Sequence, residues 1–323
     1  MPFTGCKAKA PLLTEELYAL DTLISFTVYS DNKEAVNSAK EEIKRLESLL
    51  SVTDENSDIY KINSNPDTFV KVHQETFDLI KTAISVSESS GGNFDITVYP
   101  AVKLWGFTTD DYKIPESSEL LEVKEKIGYN NIVLDESTSS VKVPRGTELD
   151  LGGIAKGYIA DKTAEVLTEC GVTSALLNFG GNVRLVGSKP DDEAFKIGIK
   201  APFDNGYFAI LREEDVTVST AGGYERFFEE NGKKYHHILN PHTASPAETE
   251  VLSSTVVGEK GEICDALATA SFVSGVEGIS ELLKAYPDYD FILLTDSSVF
   301  VTKRIFENIS LTDNFKDLKI NII

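Results

Sequence analysis

The sequence predicts an α+β fold of mixed, largely antiparallel sheets with flanking helices. Three observations carry that prediction. Strand-like and helix-like segments come in clusters rather than in strict alternation, which disfavours a doubly wound parallel sheet. Several strand-like runs follow one another across short turn sequences, as hairpins do. The helix-like runs are amphipathic, so each has one apolar stripe to bury.

Residues 21–30 alternate apolar and polar side chains and read as a strand. Asp31 can cap the helix that follows, where Val36, Ala39, Ile43, Leu46 and Leu50 recur at steps of three and four. Residues 51–69 are polar, with Asn, Asp and Pro, and read as a long loop with a short turn near Ile59. Helix returns over 75–89, with Phe77, Ile80 and Ile84 inward, and stops at Gly91-Gly92. A short helix is expected over 120–127, and a hairpin over 132–134 and 141–143. Residues 163–170 read as helix. Residues 175–179 and 183–186 pair across Gly180-Gly181-Asn182. Strands follow over 195–200, 207–212, 216–219 and 253–257, then helices over 263–273 and 279–285. Residues 291–295 and 299–305 close the chain as another hairpin.

The chain has 323 residues, 41% of them hydrophobic, enough for a sizeable core. Its formal charge of −21 argues against nucleic acid or an anionic membrane as partner, since both call for a basic surface. Such a chain would use a cation to meet a polyphosphate. Cys6, Cys170 and Cys264 are odd in number and far apart, so neither a disulfide framework nor a CxxC knuckle is present. No run reads as long enough to span a membrane. Residues 1–10 lack the apolar core of a signal peptide. Phe3-Thr-Gly-Cys6 resembles the end of a bacterial lipoprotein signal, whose cysteine carries the lipid. Residues 1–19 are therefore expected to be an N-terminal tail and lipoprotein linker, and 20–323 a single domain. On that reading the chain is extracytoplasmic and anchored to the cell membrane through Cys6.

The organising stretch is Asp150-Leu-Gly-Gly-Ile-Ala-Lys-Gly-Tyr-Ile-Ala-Asp161. Gly152 and Gly153 lie where a strand hands over to a helix. Glycine there lets backbone N–H groups approach a ligand, and a helix N-terminus favours a phosphate. Lys156 adds a full positive charge. A plain glycine turn with a solvated lysine fits the same residues. Asp265-Ala-Leu-Ala-Thr269 places a carboxylate and a hydroxyl at i and i+4 of one helix face, a pair that suits a hard cation such as Mg²⁺. From the spacing alone, a capping aspartate with a threonine bonded to its own helix is the plainer reading. Tyr235-His-His-Ile-Leu-Asn-Pro-His-Thr243 holds three of the four histidines. His236 and His237 would face opposite sides of an extended segment, so they cannot share one ion. One of them, facing a cleft, could act as a general base; a histidine bonded to a backbone carbonyl is the alternative. There is no G-x-S-x-G elbow and no thiol nucleophile with a histidine in sequence context.

Together these motifs resemble the ApbE-type FAD:protein FMN transferase (flavin transferase) family over roughly residues 20 to 300. The resemblance rests on the 150–161 stretch, Asn178-Phe-Gly-Gly-Asn182, residues 220–228, His237-Ile-Leu-Asn-Pro241 and residues 265–269. Residues 57–63, Asn93-Phe-Asp95 and Leu104-Trp-Gly-Phe107 fit as well. The resemblance implies an FAD cleft between two α/β subdomains, with Mg²⁺ at the pyrophosphate. It implies transfer of FMN to a threonine or serine hydroxyl of a target protein, with release of AMP. It maps the metal onto Asp265, Thr269 and the carbonyl of Ala155, and the catalytic histidine onto His237. Asn93, Phe94 and Asp95 match a flavin-contacting motif. Gly152, Lys156, Tyr158, Thr220 and the backbone at Ile238 are implied FAD neighbours. The expected partner carries a D-G-x-[ST]-x-A-T acceptor sequence, in a membrane or extracytoplasmic redox system; this chain contains no such sequence. Leu20-Asp-Thr22 stands where the family has Met-Gly-Thr, Val52-Thr53 lacks an expected aromatic residue, Ala221 replaces a common serine and Ala244 a common glycine. An FAD pyrophosphatase and a non-catalytic flavin carrier are the rival readings of the same site.

Overall fold

The computed structural model describes residues 11–203 and 206–323. Cys6, and with it the expected lipid anchor, lies outside the described residues. The centre of the molecule is a nine-stranded sheet. Its strands run in the order Leu13–Ala19, Thr22–Val28, Ala175–Asn178, Asn182–Val186, Thr217–Gly222, Ser253–Gly258, Asp290–Leu294, Ser298–Val301 and Lys319–Ile322. Every neighbouring pair is antiparallel except the last, which is parallel. The predicted α+β class and antiparallel bias are therefore what the chain adopts.

Among the described residues seven α-helices accompany the sheet: α1 Lys33–Leu50, α2 Asp58–Ser64, α3 Gln74–Ser89, α4 Tyr99–Leu104, α5 Ser117–Lys124, α6 Ala155–Glu169 and α7 Gly261–Ala285. One face of the sheet packs on α1, α3, α6 and α7 through a core that includes Phe26, Ile43, Ile80, Ile159, Leu267 and Phe291. The other face packs on a three-stranded sheet of Phe195–Lys200, Tyr207–Glu213 and Ile309–Leu311, through Leu185, Phe208, Leu211, Val218 and Ile292. Because both faces are covered, the strand Asp290–Leu294 is buried at every position and alternates between the two cores. A third, smaller cluster gathers Trp105, Phe107, Leu239 and Ala244, with Phe228 and Tyr235 packed against it.

Several boundaries differ from the sequence reading. Leu13–Ala19, assigned to the tail, is an edge strand paired with Thr22–Val28. Its Glu15 and Glu16 are exposed, and charge on an edge strand masks the apolar alternation. The turn between the two strands holds Leu20 and Asp21 at φ 54° and 55°, so position 21 favours the glycine that the family pattern carries there. The cap of α1 is Asn32, whose side chain accepts from Ala35 N–H, rather than Asp31. The polar loop contains α2, capped by Ser57. Helix α6 starts at Ala155, well before the expected 163. The chain ends with two further strands beyond the expected hairpin. Helix α7 is, against expectation, long and apolar enough to cross a membrane by length and composition. It lines the core and breaks at Gly275 (φ 67°, ψ −178°), where the Glu250 carboxylate caps the second segment at Val276 N–H. That break matches the two helices read from the sequence.

Candidate active site

Helices α6 and α7 meet at their N-terminal ends, and the site grows from that contact. Gly157 and Gly261 bring the two backbones together: a Cβ at Gly157 would lie 1.9 Å from the Gly261 carbonyl oxygen. Asp265, one turn into α7, reaches across, and its Oδ2 accepts from Gly157 N–H at 3.0 Å. Its alternative reading as the cap of its own helix is replaced by a different one, because Asp265 caps α6, whose own N-cap Ile154 supplies no side-chain bond. Gly157 is the third residue of α6, so its N–H is one of the donors that a helix start leaves without an intrahelical acceptor, and Asp265 supplies one. Gly153, in the preceding turn, sits beside Thr269, whose Oγ1 would be 3.7 Å from a Cβ there, and beside the Phe94 ring, 3.1 Å from it.

Ala155, whose carbonyl is the expected third ligand, is the first residue of α6, two residues before the Gly157 N–H that donates to Asp265. Gly152 is engaged differently: its N–H donates to Asp150 Oδ1 at 2.8 Å, which shapes the turn.

Asp265 is buried, and burial raises its carboxyl above the ordinary carboxylate range. Lys156, the Gly157 N–H, Asn182 and the Lys156 N–H oppose that rise. Asn182 Nδ2, itself buried, has no partner in hydrogen-bond geometry, so it lies beside the carboxylate without a formed bond. Among the described residues no group of three His, Cys, Asp or Glu side chains is placed to hold a metal. One carboxylate, one hydroxyl and one carbonyl form an oxygen-only set that suits a hard cation completing its shell with phosphate and water, not a zinc cage.

His237 follows the hairpin of Phe227–Glu230 and Lys233–His236. Its N–H donates to the Arg226 carbonyl at 3.0 Å, and its Nδ1 lies 3.1 Å from the same oxygen. A carbonyl only accepts, so Nδ1 carries the proton and Nε2 keeps a free lone pair. The residue is half-buried, and desolvation pushes its imidazole down to about 4, against the hydrogen bond to the Arg226 carbonyl. The positive charges of Arg226 and Lys156 add to the depression. The ring is thus neutral at pH 7. His236 takes the structural part: its Nε2 lies 3.1 Å from the Ala247 carbonyl, and its ring meets Phe272 edge-on at 5.4 Å. Lys156 acts on both Asp265 and His237, which places all three in one neighbourhood.

The other expected residues divide. Asn93 Nδ2 donates to Ser274 Oγ at 2.9 Å and ties the turn to α7. Asp95 commits both oxygens to its own turn: Oδ1 accepts from Thr97 N–H and Oγ1, and Oδ2 accepts from Tyr129 N–H. It shapes the loop that presents Phe94. The Thr220 hydroxyl pairs with that of Thr255 at 2.8 Å. Ile238 is buried, and its carbonyl accepts from Ala247 N–H. Tyr158 is not brought to the others. Two residues beyond Lys156, it points to another side of α6; its ring lies 5.7 Å from Lys162 Nζ, in a groove shared with Glu75 and Glu165. Sequence reasoning assigned no role to Arg226, Asn182 or Asp161. Ala244, the replaced glycine, sits at φ 55° under Trp105, whose Nε1–H donates to its carbonyl at 2.8 Å.

With this geometry in hand, the comparisons agree. The model of the ApbE family matches residues 20–293. A Treponema pallidum (strain Nichols) protein named FAD:protein FMN transferase is 32% identical over 336 residues, covering 97% of this chain and 91% of the relative. A protein of the same name from Klebsiella pneumoniae (strain 342) is 34% identical, covering 84% and 85%. The crystal structure of the ApbE protein from Thermotoga maritima MSB8 superposes with a TM-score of 0.83 at 32% identity, covering 95% of this chain and 98% of that one. A family match over most of the sequence, relatives spanning nearly its full length and a shared fold lead to one conclusion: the chain belongs to the ApbE family.

Proposed function

We propose that this protein transfers FMN from FAD to a threonine or serine hydroxyl of a target protein, with Mg²⁺, and releases AMP. The observation that carries the reading is the meeting of α6 and α7, which sets the Asp265 carboxylate against the Gly157 N–H next to Lys156, with Thr269 beside the Gly153 turn. A pyrophosphate held at that lysine would have this oxygen-donor set beside it. The Treponema and Klebsiella relatives, named FAD:protein FMN transferase, support it.

Asp265, Thr269 and the Ala155 carbonyl would hold the cation. Bound there, Mg²⁺ would neutralise pyrophosphate charge and polarise the phosphorus under attack. Lys156 attracts and orients the dinucleotide. His237 Nε2 takes the proton of the acceptor hydroxyl as its oxygen bonds to the FMN-side phosphorus. The bond from that phosphorus to the bridging oxygen breaks, and its electron pair departs with AMP. The Arg226 carbonyl holds the imidazole in the tautomer this requires. A bound pyrophosphate would offset the positive fields of Lys156 and Arg226, the lesser part of what lowers His237; desolvation is the larger part.

The test is incubation with FAD, Mg²⁺ and a protein carrying a D-G-x-[ST]-x-A-T sequence. Flavin fluorescence that stays with the denatured acceptor supports transfer. Free FMN with AMP would replace it by hydrolysis, and intact FAD by a carrier role. Lipid attachment at Cys6 belongs to the same proposal; an unmodified Cys6 in the intact mass of membrane-extracted protein would remove it.

A further inference from the structure

A five-residue pattern occurs twice, as Gly157-Tyr-Ile-Ala-Asp161 on α6 and Gly261-Glu-Ile-Cys-Asp265 on α7. In each, glycine and aspartate are i and i+4 and share a helix face. The two faces meet, and the pattern closes on itself. Gly157 N–H donates to Asp265 Oδ2 at 3.0 Å, and Gly261 N–H donates to Asp161 Oδ2 at 2.5 Å. Neither helix has a side-chain cap of its own, so each N-terminus is capped by the other helix's aspartate. Only glycine allows this approach, since a Cβ at Gly261 would lie 2.4 Å from the Gly157 carbonyl oxygen.

The two aspartates differ in what else they meet. Asp161 Oδ1 accepts from Thr217 Oγ1 at 3.2 Å and lies 3.1 Å from Arg184 Nε, which is paired by charge although its N–H is not aimed along a hydrogen bond. Asp265 has no arginine or lysine within ion-pair distance among the described residues. Half of the clasp is thus anchored by an internal cation on the central sheet, and the other half presents its carboxylate without one.

We infer that Asp161 is a positioning residue: by capping α7 from the fixed α6 side, it holds Asp265 in the place where that carboxylate takes a divalent cation with the dinucleotide. This rests on the metal-dependent reading above. Partners that orient a metal ligand typically contribute about 10–100-fold to metal affinity.

The experiment is equilibrium FAD binding followed by flavin fluorescence, titrated with Mg²⁺ and repeated in EDTA, on Asp161→Ala and Asp161→Asn, with thermal unfolding alongside. The expected result is a Mg²⁺ midpoint raised about 10–100-fold in Asp161→Ala, with binding in EDTA unchanged. Asp161→Asn keeps an oxygen for Gly261 N–H and should fall between that variant and the parent. If Asp161→Ala does not fold, the Asn variant decides alone. A folded variant with the parental Mg²⁺ midpoint overturns the inference, as does equal weakening with and without Mg²⁺, which would mark a purely structural cap. A parent protein whose FAD binding ignores Mg²⁺ overturns the metal reading first, and this one with it.

Discussion

The hydrogen bond from Gly157 N–H to the Asp265 carboxylate joins residues 108 apart in sequence and does two things at once. It satisfies a donor that α6 would otherwise leave bare. It also holds the Asp265 carboxylate against the start of α6, the helix whose first residue is Ala155. A capping bond of this kind fixes a carboxylate beside a helix start, and its consequences can be measured.

Replacing Asp265 separates the two roles. Asp265→Ala should weaken Mg²⁺-dependent FAD binding by at least about tenfold. It should also cost about 1–3 kcal/mol of stability, because Gly157 N–H loses its acceptor in a buried place. Asp265→Asn retains an oxygen for that N–H, so its melting temperature should stay near the parent while the metal response is lost. Unchanged FAD affinity with and without EDTA in both variants would reject the metal assignment.

Removing the imidazole addresses the chemistry alone. His237→Ala should lower transfer by about 10²–10⁴-fold, the usual contribution of a general base, and leave FAD binding intact. Single-turnover assays at saturating FAD measure this directly. Equal turnover by the variant takes His237 out of the mechanism.

Acid sensitivity follows from the same residue. The imidazole is depressed from 6.5 to about 4 in the folded protein. Between those values the unfolded chain binds a proton there and the folded one does not, so stability rises with pH across that window. His237 therefore contributes stability that is full above pH 6.5 and is lost as pH falls towards 4. His237→Gln should flatten the stability profile over that range. Parallel profiles for variant and parent would count against the depressed value.

The glycine contact is a steric prediction. Gly157→Ala sets a Cβ against the Gly261 backbone at 1.9 Å, where no flexible side chain can yield. Overpacking of this kind costs about 1–3 kcal/mol, and here it also separates α6 from Asp265. Denaturant midpoints should fall and Mg²⁺-dependent FAD binding should weaken together. A variant of parental stability would mean the helices move apart freely.

The sequence alone determined the elements whose signals are local. The stripe through Ile43 and Leu46 specified α1, and the turn at Gly180-Gly181 specified its hairpin, because side-chain period and turn chemistry act over a few residues. Motif order likewise pointed to the ApbE family. The edge strand Leu13–Ala19 escaped because its exposed glutamates hide the alternation. The site's inner geometry was decided only in three dimensions. The Asp265 carboxylate meets the start of α6 only because Gly157 and Gly261 let the two helices touch, and Tyr158 lies towards Lys162 because of its place around α6. Hydrogen bonds between distant backbones and the rotation of one helix against another are tertiary quantities, and no local pattern encodes them.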